Sequence, residues 1–250
     1  MKIYDCFTYF DEEEILKIRL NELNEVVDFF VIVEATKTFT GIPKSFYLDD
    51  CDKWIEKFYS KIIRLQISFP KDINSPWGRE AFQRNALSDY FKIIDEDDII
   101  IISDVDEIIN PSVIKTLHNY DMPVQLDNSQ YFWSFNWKVP DHCNQGARPV
   151  AARVRDLKMR TPQQLRAANL NRIPNAGWHF SYFSSLERII KKIESFSHTE
   201  YDSEEYKLAE NILYRIQNGI DPFDRFPLKY YNIDETYPKF VQKMIGDLNG

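Results

Sequence analysis

The sequence predicts an α/β protein built on a mainly parallel, Rossmann-like central sheet, and three features predict it. Short apolar runs alternate with segments of helical period through the first 110 residues, the pattern of strands joined by helical crossovers. The runs Phe29 to Val33 and Ile99 to Ile102 are apolar without alternation, as strands buried on both faces are. The chain has 250 residues, 44% apolar and 28% charged, and at that size one core removes roughly 75% of the unfolded surface from water.

Lys2 to Thr8 reads as the first strand. Asp11 to Glu14 suit a helix N-terminus, and Leu16, Leu20, Leu23 and Val27 then share one helical face. Asp28 to Glu34 forms the second strand, followed by a polar loop from Thr36 to Lys44. A weak helix around Trp54 to Phe58 leads to Ile63, Leu65 and Ile67, which alternate as strand residues do. Beyond Pro70 and Pro76, Phe82, Ala86, Tyr90 and Ile94 recur every four residues, with Leu87 and Phe91 widening the stripe. The turn Asp95 to Asp98 introduces the isoleucine strand, whose end carries Asp104 and Asp106. Asn110 and Pro111 then supply an N-cap and a first-turn proline.

In the second half, Tyr131, Trp133, Phe135, Trp137 and Val139 alternate as along one strand face. Thr161-Pro162 starts a helix to about Asn171. Ser184 and Glu187 have capping-box spacing ahead of Leu186, Ile189, Ile190 and Ile193, and a helix from Ser203 to Gln217 stops at Gly219. No linker or internal repeat interrupts the chain, so a single domain of two lobes is expected, divided near residues 110 to 125.

With 31 basic and 39 acidic residues the net charge is −8, which argues against a nucleic-acid partner. None of the seven glycines has the spacing of a dinucleotide fingerprint or a P-loop. Cys6, Cys51 and Cys143 form neither a disulfide framework nor a CxxC pair, so a reducing compartment fits. No apolar run approaches the ~20 residues of a membrane span, and the start lacks a signal-peptide core. The expectation is a soluble, cytoplasmic chain.

Asp104 and Asp106 are two apart, so on an extended backbone their carboxylates share a side, and two hard oxygen donors suit Mg²⁺ or Mn²⁺. Asp50/Asp52 and Asp95/Asp97 share the spacing but read as turn residues. Only the 104/106 pair ends a buried strand, the edge where open α/β sheets bind ligands, although capping the next helix would also use it. Without a glycine loop, a carboxylate-held cation can bridge protein and diphosphate. Arg79, Arg84 and Asn85 precede that strand and offer donors to phosphate or base, or else form an exposed face paired with Glu80. Trp133, Phe135 and Trp137 serve a core or a sugar, and Trp137, nearest the strand end, is kept as an acceptor contact.

The segments Ile3 to Phe7, Val33 to Gly41, Trp77 to Asn85, Ser103 to Ile108 and Gly177 to Phe180 together resemble glycosyltransferase family 17, which includes the enzyme that adds the bisecting β-1,4-linked N-acetylglucosamine to N-glycans. The resemblance implies a GT-A fold, with residues 1–110 as the nucleotide-sugar half and 111–250 as the acceptor and catalytic half. It further implies a UDP-sugar donor, N-acetylglucosamine being the expected sugar, a glycan acceptor, inversion, and Mn²⁺ or Mg²⁺ on Asp104 and Asp106. In that frame His179 becomes a third metal group, with His198 a weaker candidate, while His118 and His142 stay solvated. Glu34, Thr36 and Lys44 face the donor, with strand-end capping the other role for the first two. The base must be a carboxylate near the acceptor hydroxyl. Glu187 comes first, unless it only caps its helix, then Glu107 and Asp141. The competing readings are nucleotidyl or phosphoryl transfer and a carbohydrate-binding protein without turnover.

Overall fold

The structure is a computed structural model, and it describes residues 1–51, 53–143 and 148–249. Asp52, Gly146 and Gly250 lie outside the described residues. The first half runs β1 (Ile3–Thr8), α1 (Glu13–Leu23), β2 (Phe29–Ala35), β3 (Ile62–Ile67), α2 (Pro76–Asn85), α3 (Leu87–Phe91), β4 (Ile99–Asp104), β5 (Glu107–Ile109) and α4 (Pro111–Thr116). The four long strands here are parallel in the order β3-β2-β1-β4. Continuing the chain are β6 (Val124–Phe132), β7 (Trp137–Lys138), β8 (Val150–Arg153), α5 (Pro162–Ala167), β9 (Asn171–Ser181), α6 (Leu186–Ser195), α7 (Glu204–Lys207), α8 (Ala209–Asn218), β10 (Lys229–Tyr230) and α9 (Lys239–Asn249). Strand β8 joins β4 antiparallel, β6 lies beyond it, and β7 and β10 complete that edge. Strand β9 runs parallel to β6 and antiparallel to β5. The α/β sheet is thus parallel where the sequence is most regular and mixed beyond it, where β9 lies parallel to β6.

The parallel strands are buried on both faces. Phe30, Ile32, Ile99 and Ile101 point into one core with α1, while Val31, Val33, Ile100 and Ile102 point into the other. Each fully buried isoleucine contributes roughly 1.5–3 kcal/mol, so this strand set anchors the edge on which the aspartates sit. A third, aromatic-rich core lies between the β6–β7 turn, α6 and α8. Among the described residues no helix is long and apolar enough to cross a membrane, and the three cysteines are free.

Several elements differ from expectation. The stripe from Phe82 to Ile94 belongs to two helices. Ser75 caps α2, its hydroxyl accepting from the Gly78 amide at 3.0 Å, and hydrogen bonding tightens to three-residue spacing around Ala86, where α3 starts. Residues 131–139 are not one strand. Trp133 has φ 69°, the chain turns, and Lys138 returns opposite Tyr131, so the aromatic alternation spans both arms of a hairpin. The helix expected to reach Asn171 ends at Ala167, and β9 follows. Leu208 divides the helix expected from Ser203, while Gly219 (φ 60°) ends α8 as the sequence indicates.

Gly177 fixes how β9 meets β5. A Cβ there would lie 2.2 Å from the Ile108 carbonyl oxygen and 2.9 Å from Asn128 Oδ1. Gly177→Ala is therefore expected to cost about 1–3 kcal/mol through overpacking. At roughly 2–4 °C per kcal/mol for a chain of this size, the loss is visible in a thermal melt, and an unchanged melting temperature would refute the close fit.

Candidate active site

The carboxyl ends of β1, β2 and β4 open into one cavity of about 450 Å³, closed on its far side by β9 and α6. Parallel register brings Thr8 opposite Asp104, and the Thr8 hydroxyl donates to Asp104 Oδ1 at 3.1 Å. After Asp104 the chain turns through Val105 and Asp106 into β5, where Glu107 pairs with His179 across the ladder. This turn is held from below by Arg19 of α1. The fully buried guanidinium grips Asp5 and donates to the carbonyls of Asp104, Val105 and Glu107 at 2.8, 3.1 and 2.9 Å.

Both aspartates are bound to cations. Asp104 accepts from Arg84 Nη2 at 2.8 Å and from Arg166 Nη2 at 2.9 Å. Asp106 faces His179 Nε2 at 3.3 Å and Lys192 Nζ at 2.9 Å. Arg166 also grips Glu107, and Lys192 reaches Glu12 at 3.1 Å. Burial favours the neutral acids, but Arg84 and Arg166 hold Asp104, and Lys192 with His179 holds Asp106, well below the usual carboxylate range. Burial similarly works against charge on Lys192 and His179, and Asp106 overrides it, raising both. Burial pushes the Glu107 carboxyl up, with Arg166 offsetting only part.

Charge around the cavity is uneven. Its wall carries six cations, Lys37, Lys44, Arg84, Arg166, Lys192 and Arg225, against four carboxylates, Glu12, Glu80, Asp104 and Asp106. That wall is net positive in a chain of net charge −8, which suits an anionic ligand. Arg84 and Arg166, both nearly fully buried, each keep an Nε–H without a hydrogen-bond partner among the described residues. In the ionic network around the aspartates the balance reverses. Five carboxylates, with Glu107 added, meet Arg84, Arg166, Lys192 and the imidazole of His179.

The sequence profile of glycosyltransferase family 17 matches residues 1–246, nearly the entire chain. The chain belongs to glycosyltransferase family 17. No curated protein matches this glycosyltransferase in sequence. Among solved structures it is similar to glucosyl-3-phosphoglycerate synthase from Mycobacterium tuberculosis, solved with Mn²⁺, UDP and glucosyl-3-phosphoglycerate. That likeness has 10% identity and a TM-score of 0.39 and covers 96% of this chain and 91% of that one. A galactosyltransferase, LgtC, solved with donor and acceptor sugar analogues, gives 12% identity and a TM-score of 0.33 over 65% of this chain, which spans 61% of that one. Mannose-6-phosphate isomerase from Helicobacter pylori gives 13% identity and a TM-score of 0.36 over 63% of this chain and 72% of that one.

Of the residues expected in the glycosyltransferase site, Lys44, Arg84, Asp104, Asp106 and His179 line the cavity, as does His198. The others do not. Glu34 lies beneath the strand end, accepting from Lys44 Nζ at 2.8 Å and from the Tyr47 and Leu48 amides, so it braces the loop that presents Lys44. Thr36 bonds Ser68, Arg79 donates to the Phe39 carbonyl, and Asn85 accepts from the Gln163 amide. Trp137 lies outside the cavity wall, packed against Gly219, where a Cβ would come within 2.3 Å of its ring, and against Tyr230.

The three base candidates fall outside as well. Glu187 is exposed on the first turn of α6, and the cap there is Ser185 bonding the Arg188 amide, not Ser184 paired with Glu187. Asp141 is exposed and pairs with Lys138. Glu107 is buried behind the wall, committed to Arg166 and the Asp104 amide. Arg166, Lys192, Glu12 and Trp77 line the cavity without having been singled out, Trp77 half-exposed and edge-on to His198 at 4.6 Å.

Proposed function

We propose that this glycosyltransferase binds a UDP-linked sugar, N-acetylglucosamine being the family's expectation, in the cavity at the parallel strand ends and transfers it with inversion to a glycan acceptor. The net positive wall in an acidic chain is the observation that carries this reading. The nucleoside belongs at the ends of β1 and β2, near Thr8 and Phe39, in the half before residue 110, and the acceptor belongs toward β9 and α6. Lys44 and the two arginines offer the diphosphate the donors that compensate its charge as the glycosidic bond breaks.

Manganese or magnesium is the ion that carboxylate and imidazole donors suit. Asp104, Asp106 and His179 would hold it, two hard carboxylates with one imidazole. When bound, such an ion stabilises the departing diphosphate. Among the described residues no three His, Cys, Asp or Glu side chains converge to hold a metal as they stand, and the carboxylate oxygens of the two aspartates already pair with Arg84, Arg166, His179 and Lys192. Glu12 and Glu80 replace Glu187 as the carboxylates from which a base can be drawn, since both face the cavity.

The test is calorimetric titration of UDP with Mn²⁺ present, together with release of UDP from UDP-N-acetylglucosamine in the presence of sugar acceptors. Binding and acceptor-stimulated release are expected, and no UDP affinity with or without the ion would end the reading. Glu187→Gln, run in parallel, is expected to retain kcat within about twofold, as surface substitutions away from a site do. A large loss would restore that residue to the mechanism.

A further inference from the structure

Arg225 stands apart from the other cations of the cavity wall. Arg84, Arg166 and Lys192 are bound to Asp104 and Asp106, while Lys37 and Lys44 belong to the loop after β2, Lys44 bound to Glu34. Arg225 pairs instead with Asp221, a carboxylate that is not part of the wall. Asp221 is fully buried and accepts from the Phe223 and Arg225 amides at 2.8 and 3.1 Å, and from Arg225 Nε and Nη2 at 3.2 and 3.4 Å. Arg225 Nη1 has no hydrogen-bond partner among the described residues. The neighbouring carboxylates are already engaged, Asp224 by Arg215 at 2.7 Å and Glu200 by His198 at 2.6 Å.

The guanidinium is also held by rings. Its centre lies 4.9 Å from the centroid of Phe223, 5.4 Å from that of Phe226, 5.5 Å from that of Phe132 and 5.6 Å from that of Tyr201. Tyr201 in turn stacks on Phe223 at 4.0 Å. The segment that carries Arg225 is closed by a bridge between Ile220 and Pro227, and Trp133 Nε1 donates to the Ile220 carbonyl at 2.7 Å. Much of the rotamer freedom that an arginine loses on binding is therefore lost before a ligand arrives. Phe132 pairs with Ser181 at the end of β9, so Arg225 lies on the side of the cavity assigned to the acceptor, its side chain 29% exposed.

We propose that Arg225 reads an anionic group, a carboxylate or a phosphate, on the acceptor sugar. The proposal deepens the function given above and rests on it. A diphosphate met by Lys44, Arg84 and Arg166 leaves Arg225 free for the second substrate. Charge-assisted hydrogen bonds are roughly twice as strong as neutral ones, so a sugar that offers an oxyanion to Nη1 gains more there than one that offers only hydroxyls.

The experiment is calorimetric titration of three methyl glycosides into the full chain saturated with UDP in the presence of Mn²⁺: glucoside, glucuronide and glucoside 6-phosphate. Prior saturation with UDP keeps the acidic glycosides off the donor cations. At least one acidic glycoside is expected to bind about tenfold or more tighter than the neutral one, the scale of one hydrogen bond to a charged group, and which of the two does so separates carboxylate from phosphate. In Arg225→Gln that preference is expected to fall below about threefold, since a neutral amide forms only an ordinary hydrogen bond. Arg225→Lys provides the comparison if the glutamine variant does not fold, with a preference reduced by at least about threefold because one mobile ammonium replaces the fixed fork. Equal binding of acidic and neutral glycosides by the unmodified chain overturns the proposal without any variant, as does a preference that survives intact in either folded variant. A chain that binds UDP and shows no preference loses this proposal alone, and one that binds no UDP loses the donor reading with it.

Discussion

Asp106→Asn is expected to lower kcat by at least about 10²–10³-fold, the range seen when one preorganised charge-stabilising group is removed, while the protein stays folded. Asparagine keeps the shape of the side chain at the turn between β4 and β5, and its backbone carbonyl still accepts from the Phe180 amide at 2.9 Å. What disappears is the negative charge that faces His179 and Lys192. Lys192 keeps Glu12, so no cation is stranded and the stability loss is expected to stay below about 2 kcal/mol. Turnover with UDP-N-acetylglucosamine and a thermal melt separate the two effects. Normal kcat would remove Asp106 from the chemistry, and a collapsed melting temperature would make it a structural residue.

Arg19→Met is expected to have the largest effect on stability. Arg19 is fully buried, its guanidinium paired with Asp5 and hydrogen bonded to three backbone carbonyls and the Ser103 hydroxyl, with Phe7 stacked 4.2 Å from it. Methionine preserves most of the volume but leaves Asp5 without its partner in the core and strips donors from the carbonyls of Asp104, Val105 and Glu107. Breaking a buried pair from one side costs about 3–5 kcal/mol, or roughly 6–20 °C of melting temperature at this chain length. Lysine is not expected to rescue it, because one ammonium cannot reproduce the planar fork. A variant melting within 2 °C of the parent, on the order of the shift for 1 kcal/mol, would show that the turn holds its shape without this residue.

The parallel half of the fold was readable because strands buried on both faces leave unbroken apolar runs, as Ile99 to Ile102 and Phe29 to Val33 do. Strand β9 was not, because Asn171, Arg172 and Asn175 put polar groups on an exposed stretch and mask its ladder with β6. The aromatic alternation from Tyr131 to Val139 misled for a definable reason. A period of two survives a hairpin when the turn residue is itself a buried aromatic, as Trp133 is.

At the site, Asp104 and Asp106 followed from strand-end logic, Arg84 from its place on the helix before that strand and His179 from family resemblance. Lys192 and Arg166 were hidden inside helices whose apolar faces already accounted for their periodicity. Arg19 carried a visible sign, since it sits on the same face as Leu16 and Leu23, where a cation needs a buried partner. Glu187 lies outside the cavity wall, and spacing says nothing of which side of α6 the cavity lies on.

The close seating of Gly177 against Ile108 has a bearing on how this protein can change over evolutionary time. Two residues along the same strand, His179 is set opposite Glu107, one position from Asp106. Because successive strand residues alternate faces, inserting or deleting one residue between Gly177 and His179 would either turn the imidazole away from the cavity or carry a larger side chain onto the Ile108 carbonyl. Homologues should accordingly vary in length outside this stretch and hold a fixed count from Gly177 to His179.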